Sequence, residues 1–199
     1  MRTTFVLMRR RPQFWVPIAS MWLGLLSSPA FTQVAIPQPS AGAVAFSYED
    51  KDWGISPTTT AKRAPFHAPT PISIPGGRVI KTLELKALLE QVPTLVVVDV
   101  LAGRNRLTVP GAYSMAGAGD PQFFGAEKAR LSEALGKLLD GDKSRPVVFL
   151  CSGSECWISY NAALHAIDAG FKDVLWYRGG TDAWKGAGLD LKAPKTVNW

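Results

Sequence analysis

The feature that most constrains this chain is a pair of short runs rich in apolar and β-branched residues, LVVVDV at 95–100 and VVFL at 147–150. Neither alternates polar with apolar residues, so each reads as a strand covered on both faces rather than one lying at a surface. Helical patterns separate and flank them. Leu83, Leu85, Leu88, Leu89 and Val92 precede the first run, and Leu131, Ala134, Leu135, Leu138 and Leu139 form a stripe before the second. Beyond it, residues 157–169 read as a helix closed by Gly170, 173–176 as a third strand, and 181–187 as a short helix closed by Gly188. Strands alternating with helices of this length predict a three-layer α/β fold, a central parallel sheet flanked by helices. Reactive groups in such folds gather beyond the carboxyl ends of the strands.

The charge distribution divides the chain. Its net charge is +6, yet Arg2, Arg9, Arg10 and Arg11 all precede the first acidic residue, Glu49, and without them the surplus falls to +2. No basic run remains elsewhere to neutralise phosphates, which argues against nucleic acid as a partner. The arginines, the uncharged stretch 14–26 and the small residues Ser27, Ser28 and Ala30 have the layout of a secretory signal, with cleavage near Ala30 or Thr32. That stretch is shorter than the roughly 20 residues of a spanning helix, so contact with a membrane is expected only if the signal stays uncleaved. Residues 1–32 are thus the predicted signal peptide, and the mature protein is expected in the periplasm. Residues 33–75 form a Pro-rich extension, in which Phe46, Tyr48 and Trp53 are candidate anchors. The compact domain is predicted over 76–199.

Cys151 follows VVFL directly and opens the loop Cys151-Ser152-Gly153-Ser154-Glu155-Cys156, after which a helix begins near Trp157. A cysteine at a strand end, with loop amides and a helix N-terminus aimed at it, sits in a positive field that favours a thiolate. The small residues of the loop suit an anion cradle built from backbone. Cys156 is open to three readings: a resolving thiol that attacks an oxidised or sulfur-laden Cys151, half of a static disulfide, or a small packing residue. A disulfide requires the two Cα atoms to lie about 4.4–6.8 Å apart. A phosphatase of related fold would end this loop in Arg, where Trp157 stands. A zinc site would find at most Cys151, Cys156 and His165, too few ligands at poor spacing, so no metal is expected. His165 reads as an ordinary helical histidine, and His67 is isolated. Trp176 and Trp184 read as core packing.

The segment VVFLCSGSECWISYNAALHAIDAGFKDVLWYRGGTDAWKGAGLDL resembles the C-terminal half of a rhodanese domain, and VVVDV at 96–100 with VPGA at 109–112 resembles its first half. The resemblance covers about residues 78–192. It implies a sulfur carrier in which Cys151 is the nucleophile, holds a sulfane sulfur as a persulfide cradled by Ser152, Gly153, Ser154, Glu155 and Cys156, and passes it to a thiol acceptor. The persulfide is the covalent intermediate, and no separate cofactor is implied. By position Asp99 supports the site, Trp157 shields or packs against it, and Arg178 is the candidate cation from the neighbouring strand end. The loop itself holds Glu155 and no cation, and Leu101 stands where Arg is usual, so thiosulfate is expected to be a poor donor. The export signal, the segment APTPISIPG and Cys-Trp after the loop are also similar to an exported rhodanese-like subfamily linked to alcohol oxidation by pyrroloquinoline quinone enzymes; the spacing here is Cys-x4-Cys-Trp rather than Cys-x-x-Cys-Trp. The resemblance therefore leaves three functions: sulfur transfer with a small sulfur donor, a Cys151–Cys156 dithiol accessory serving a periplasmic redox protein in quinone-dependent alcohol oxidation, and a noncatalytic binding module.

Overall fold

The structure is a computed structural model in which residues 49–103 and 105–199 are described. The expected signal peptide with its cleavage near Ala30 or Thr32, and the anchors Phe46 and Tyr48, lie outside them.

Among the described residues ten elements follow in order: β1 (Arg78–Val79), α1 (Thr82–Gln91), β2 (Val96–Asp99), β3 (Tyr113–Ser114), α2 (Ala126–Leu138), β4 (Pro146–Leu150), α3 (Trp157–Asp168), β5 (Asp173–Trp176), α4 (Gly180–Gly186) and β6 (Lys195–Thr196). The strands form one sheet in the order β1-β5-β4-β2-β3-β6, every pairing parallel. The continuous apolar runs occupy its middle. There, alternate residues serve opposite layers: Val96, Val98, Val147 and Phe149 pack with α2 and α3, while Val97, Val148 and Leu150 pack with α1 and Trp184 of α4. A strand buried on both faces has no polar side to display, which is why these runs do not alternate.

The strands β1, β3 and β6 are two residues each and were not foreseen. Tyr113–Ser114 lies in a stretch that read as a Gly-rich connection, and pairing against β2 rather than side-chain pattern makes it a strand. Helix ends are legible. The turn after α3 places Gly170 at φ 88°, with the amide of Gly170 on Ile167 O at 2.9 Å and that of Phe171 on Ala166 O at 3.1 Å. That paired closure needs a left-handed residue, which glycine adopts without penalty.

Residues 49–75 lie along the domain as a strap. An extended Pro-rich segment cannot satisfy its own backbone groups, and here α3 and the cysteine loop satisfy them. Tyr160 Oη accepts from the Thr58 amide at 2.9 Å and donates to Thr58 O at 2.8 Å, and the Asn161 carboxamide pairs with Lys62 N and O in the same way. The amides of Ala68 and Thr70 bond to Glu155 O and Ser154 O.

Candidate functional site

Cys151 sits at the carboxyl end of the central strand β4, 1% exposed, on the sheet face shared with Phe149 and Trp176. It is joined to Cys156 in a disulfide, with the Cα atoms 6.5 Å apart, inside the span such a bond requires. The three readings of Cys156 thus narrow to a pair in bonding contact. Cys156 is also the residue before α3, in an extended conformation, and it bridges His67 of the strap.

Two other segments fix the loop. The amides of Thr181 and Asp182 donate to Cys151 O and Ser152 O at 3.0 and 2.8 Å, so the start of α4 is pinned to the first half of the loop. Gly180, at φ +58°, makes this approach possible: a Cβ there would lie 2.5 Å from the Ser152 carbonyl. On the other side Thr70 Oγ1 donates to Ser154 O at 2.6 Å.

The amide of Cys156 donates to Gly153 O and that of Trp157 to Phe66 O of the strap, so the helix start is capped by carbonyls. The Ser159 hydroxyl lies 3.2 Å from the Cys151 sulfur and the Cys156 carbonyl oxygen 3.4 Å; the Ser159 oxygen accepts from Trp176 Nε1 at 3.0 Å.

Asp99 is buried at the end of β2. One carboxylate oxygen accepts from the Leu101 amide at 3.0 Å and the other from Arg106 Nε at 2.8 Å; Arg106 in turn reaches Thr181 Oγ1 at 3.4 Å. Asp99 therefore ties the strand end to the residue that holds Cys151 O. Trp157, 4% exposed, donates its indole N–H to Pro69 O at 3.0 Å and meets Tyr160 edge-on, so it packs between α3 and the strap.

Arg178 was expected to offer charge toward the loop, and the structure gives it other work. It is 1% exposed, and its guanidinium donates to Glu49 O (2.7 Å), Lys51 O (2.8 Å), Thr70 Oγ1 (3.0 Å) and Thr70 O (3.1 Å), with Trp53 stacked 5.0 Å away. Arg178 clamps the strap, and burial holds its basicity below the ordinary guanidinium range. Beside it Glu49 accepts from the Thr82 amide at 3.0 Å and from the Thr82 hydroxyl, which also meets Tyr177 Oη at 2.8 Å. Desolvation raises the Glu49 carboxyl above its usual range despite these bonds.

A cleft of about 170 Å³ opens over the loop, lined by residues 152–155 with Glu49, His67 and Asp182. Three carboxyl groups on its wall disfavour a dianion. His165 lies elsewhere, stacked on Phe123 and bonded to Asp120 O at 2.8 Å, and burial lowers its pKa. Trp184 packs in the core. Sequence reasoning missed Thr70, Arg106 and Ser159. Only Ser159, one helical turn past Cys156, carried a positional signal.

The rhodanese-like domain model matches residues 82–187, just over half of the chain. Similar solved structures include a thiosulfate sulfurtransferase from Pseudomonas aeruginosa (22% identity, TM-score 0.47, 67% of this chain and 22% of that one). Others are a full-length protein from Lactobacillus plantarum (20%, 0.44, 58% and 87%) and a polysulfide-sulfur transferase homodimer from Wolinella succinogenes (20%, 0.40, 58% and 78%). The chain thus spans about a fifth of the length of the Pseudomonas protein. No curated protein matches it in sequence.

Proposed function

Because the chain belongs to the rhodanese-like domain family, we propose that it is an exported sulfur carrier that holds sulfane sulfur as a persulfide on Cys151. The observation that carries this reading is the place of Cys151: the end of the central strand, at the mouth of the loop that opens α3, inside the matched region. A thiol reductant first supplies two electrons to open the Cys151–Cys156 disulfide. The Cys151 thiolate then attacks the sulfane sulfur of a donor RSS⁻, forming Cys151–S–S⁻ and releasing RS⁻. An acceptor thiolate takes the outer sulfur and regenerates the Cys151 thiolate. Alternatively the Cys156 thiolate attacks the inner sulfur, reforming the disulfide and expelling hydrosulfide. The acidic cleft supports an organic persulfide or polysulfide donor, whose sulfur chain carries a single charge, over dianionic thiosulfate.

A second reading is favoured by the disulfide itself: a dithiol accessory cycling Cys151 and Cys156 against a periplasmic redox protein, in quinone-dependent alcohol oxidation. Intact mass spectrometry of reduced protein before and after a polysulfide donor separates the two. Sulfur transfer predicts a gain of one sulfur that is lost with excess thiol and is absent in Cys151→Ser. Loss of two hydrogens in the wild type together with no sulfur uptake in Cys156→Ala, where internal attack on a persulfide cannot follow, overturns it in favour of the redox reading. Export is tested by the N-terminus of the periplasmic protein, expected just after Ala30 or Thr32.

A further inference from the structure

Cys151 is enclosed in the core, and an ionised sulfur there loses hydration unless a donor replaces it. At the end of the loop the Cys156 amide bonds to Gly153 O, and the first amide of α3, Trp157 N, bonds to Phe66 O. The Cys156 carbonyl oxygen, 3.4 Å from the sulfur, presents negative charge and opposes a thiolate. Charged groups surround the loop: Glu155 within it, Glu49, Asp182 and His67 along the cleft, and the Asp99–Arg106 pair at the end of β2. Among the described residues none of these side chains hydrogen bonds to the sulfur.

One side chain is placed to do so. Ser159 lies in the first turn of α3, 2% exposed, with Oγ 3.2 Å from the Cys151 sulfur. An indole N–H is a donor only, so the bond from Trp176 Nε1 to the same oxygen occupies a lone pair and leaves the single serine proton to be donated onward. Two acceptors are in reach, Cys156 O at 3.4 Å and the Cys151 sulfur at 3.2 Å. A disulfide sulfur is a weak acceptor, and a thiolate is a strong one. The three residues converge from α3, β4 and β5; the pairing of Phe149 with Trp176 sets the two strands in register, and Cys151 follows Phe149 by two on the same face.

We propose that Ser159 is a catalytic residue of this site, its hydroxyl directed by the Trp176 indole to donate a hydrogen bond to the Cys151 thiolate once the disulfide is opened. Trp176 is then a positioning residue, acting through Ser159. The inference rests on Cys151 being the reacting thiol and leaves the identity of the sulfur donor open.

The test uses the full chain carrying Cys156→Ala, in which Cys151 is the sole thiol. The rate of alkylation by iodoacetamide is followed as a function of pH, alongside the ultraviolet absorbance of the thiolate. Ser159→Ala is expected to move the ionisation midpoint to higher pH and to slow alkylation on the acid side about tenfold, as loss of a hydrogen bond to a charged group requires. Ser159→Thr, which keeps the hydroxyl, is expected to match the parent. Trp176→Phe is expected to shift the profile in the same direction, about threefold. The proposal is overturned if Ser159→Ala, folded by circular dichroism, keeps the parental profile, or if Ser159→Thr behaves as Ser159→Ala. Should Ser159→Ala fail to fold, an unshifted profile in Trp176→Phe overturns it equally. Alkylation needs no sulfane sulfur, so failure of persulfide formation with shifted profiles would sink the proposed function and leave this inference standing.

Discussion

Replacing Arg178 with Met tests whether the strap is held to the cysteine loop from within. The guanidinium is 1% exposed, and its hydrogen bonds include those to Glu49 O, Lys51 O, Thr70 Oγ1 and Thr70 O. A hydrogen bond to a charged group is worth about 1.5–3 kcal/mol, so a rigid strap would lose well over 5 kcal/mol. The strap need not remain rigid: its carbonyls can rehydrate by peeling away, which caps the cost at the free energy of local opening. A weakening of about 3 kcal/mol corresponds to roughly a hundredfold increase in strap opening. Amide hydrogen exchange reads this directly. Ala68 and Thr70, whose amides bond to Glu155 O and Ser154 O, should exchange about a hundredfold faster, while Val148 in the central strand should not change. Arg178→Lys should behave nearly as Arg178→Met, since one ammonium cannot reach acceptors on both arms of the strap. Unchanged protection at Ala68 and Thr70 in a folded Arg178→Met protein would refute the clamp and assign the strap to Trp157 and Asn161.

Gly180→Ala should cost about 2–4 kcal/mol in urea unfolding, because its Cβ meets the Ser152 carbonyl at 2.5 Å and Cys151 O at 2.6 Å and the backbone holds a left-handed φ. Asp99→Asn should cost about 1–3 kcal/mol, and a double-mutant cycle with Arg106→Leu should return a coupling of about 1 kcal/mol or more. His165 is held neutral by burial, so the unfolded chain binds its proton first as pH falls through 6.5, and stability declines from there toward the lower folded-state pKa. His165→Gln should flatten that decline in urea midpoints measured across the same window. The raised carboxyl of Glu49 has the opposite sign, the folded state holding its proton above pH 4.5, so Glu49→Gln should steepen the decline.

The middle of the sheet was legible because burial on both faces leaves Val96–Val98 and Val147–Leu150 no polar residues to alternate with. Helix ends were legible at Gly170 for the same kind of local reason, a backbone angle that favours glycine. Cys151 could be placed because a strand end and a helix start enclose it. The two-residue strands were illegible, since Arg78–Val79, Tyr113–Ser114 and Lys195–Thr196 owe their pairing to neighbours distant in the chain. The role of Arg178 was illegible for a related reason: its partners are backbone carbonyls at Glu49, Lys51 and Thr70, which carry no side-chain signature. The same holds for the start of α3. The strap carbonyl of Phe66 takes the amide that a helix start would otherwise offer to an anion, and nothing in the loop's own residues announces it.

The central claim is that Cys151 carries transferable sulfur, and transfer of isotopically labelled sulfur tests it most directly. Reduced Cys156→Ala protein is charged with a polysulfide bearing label in its sulfane sulfur, freed of donor, and mixed with a small thiol. The account predicts stoichiometric appearance of labelled persulfide on the acceptor and return of Cys151 to the thiol, with no label bound in Cys151→Ser. Label that never attaches to Cys151, or that attaches but does not leave with the acceptor, would contradict it.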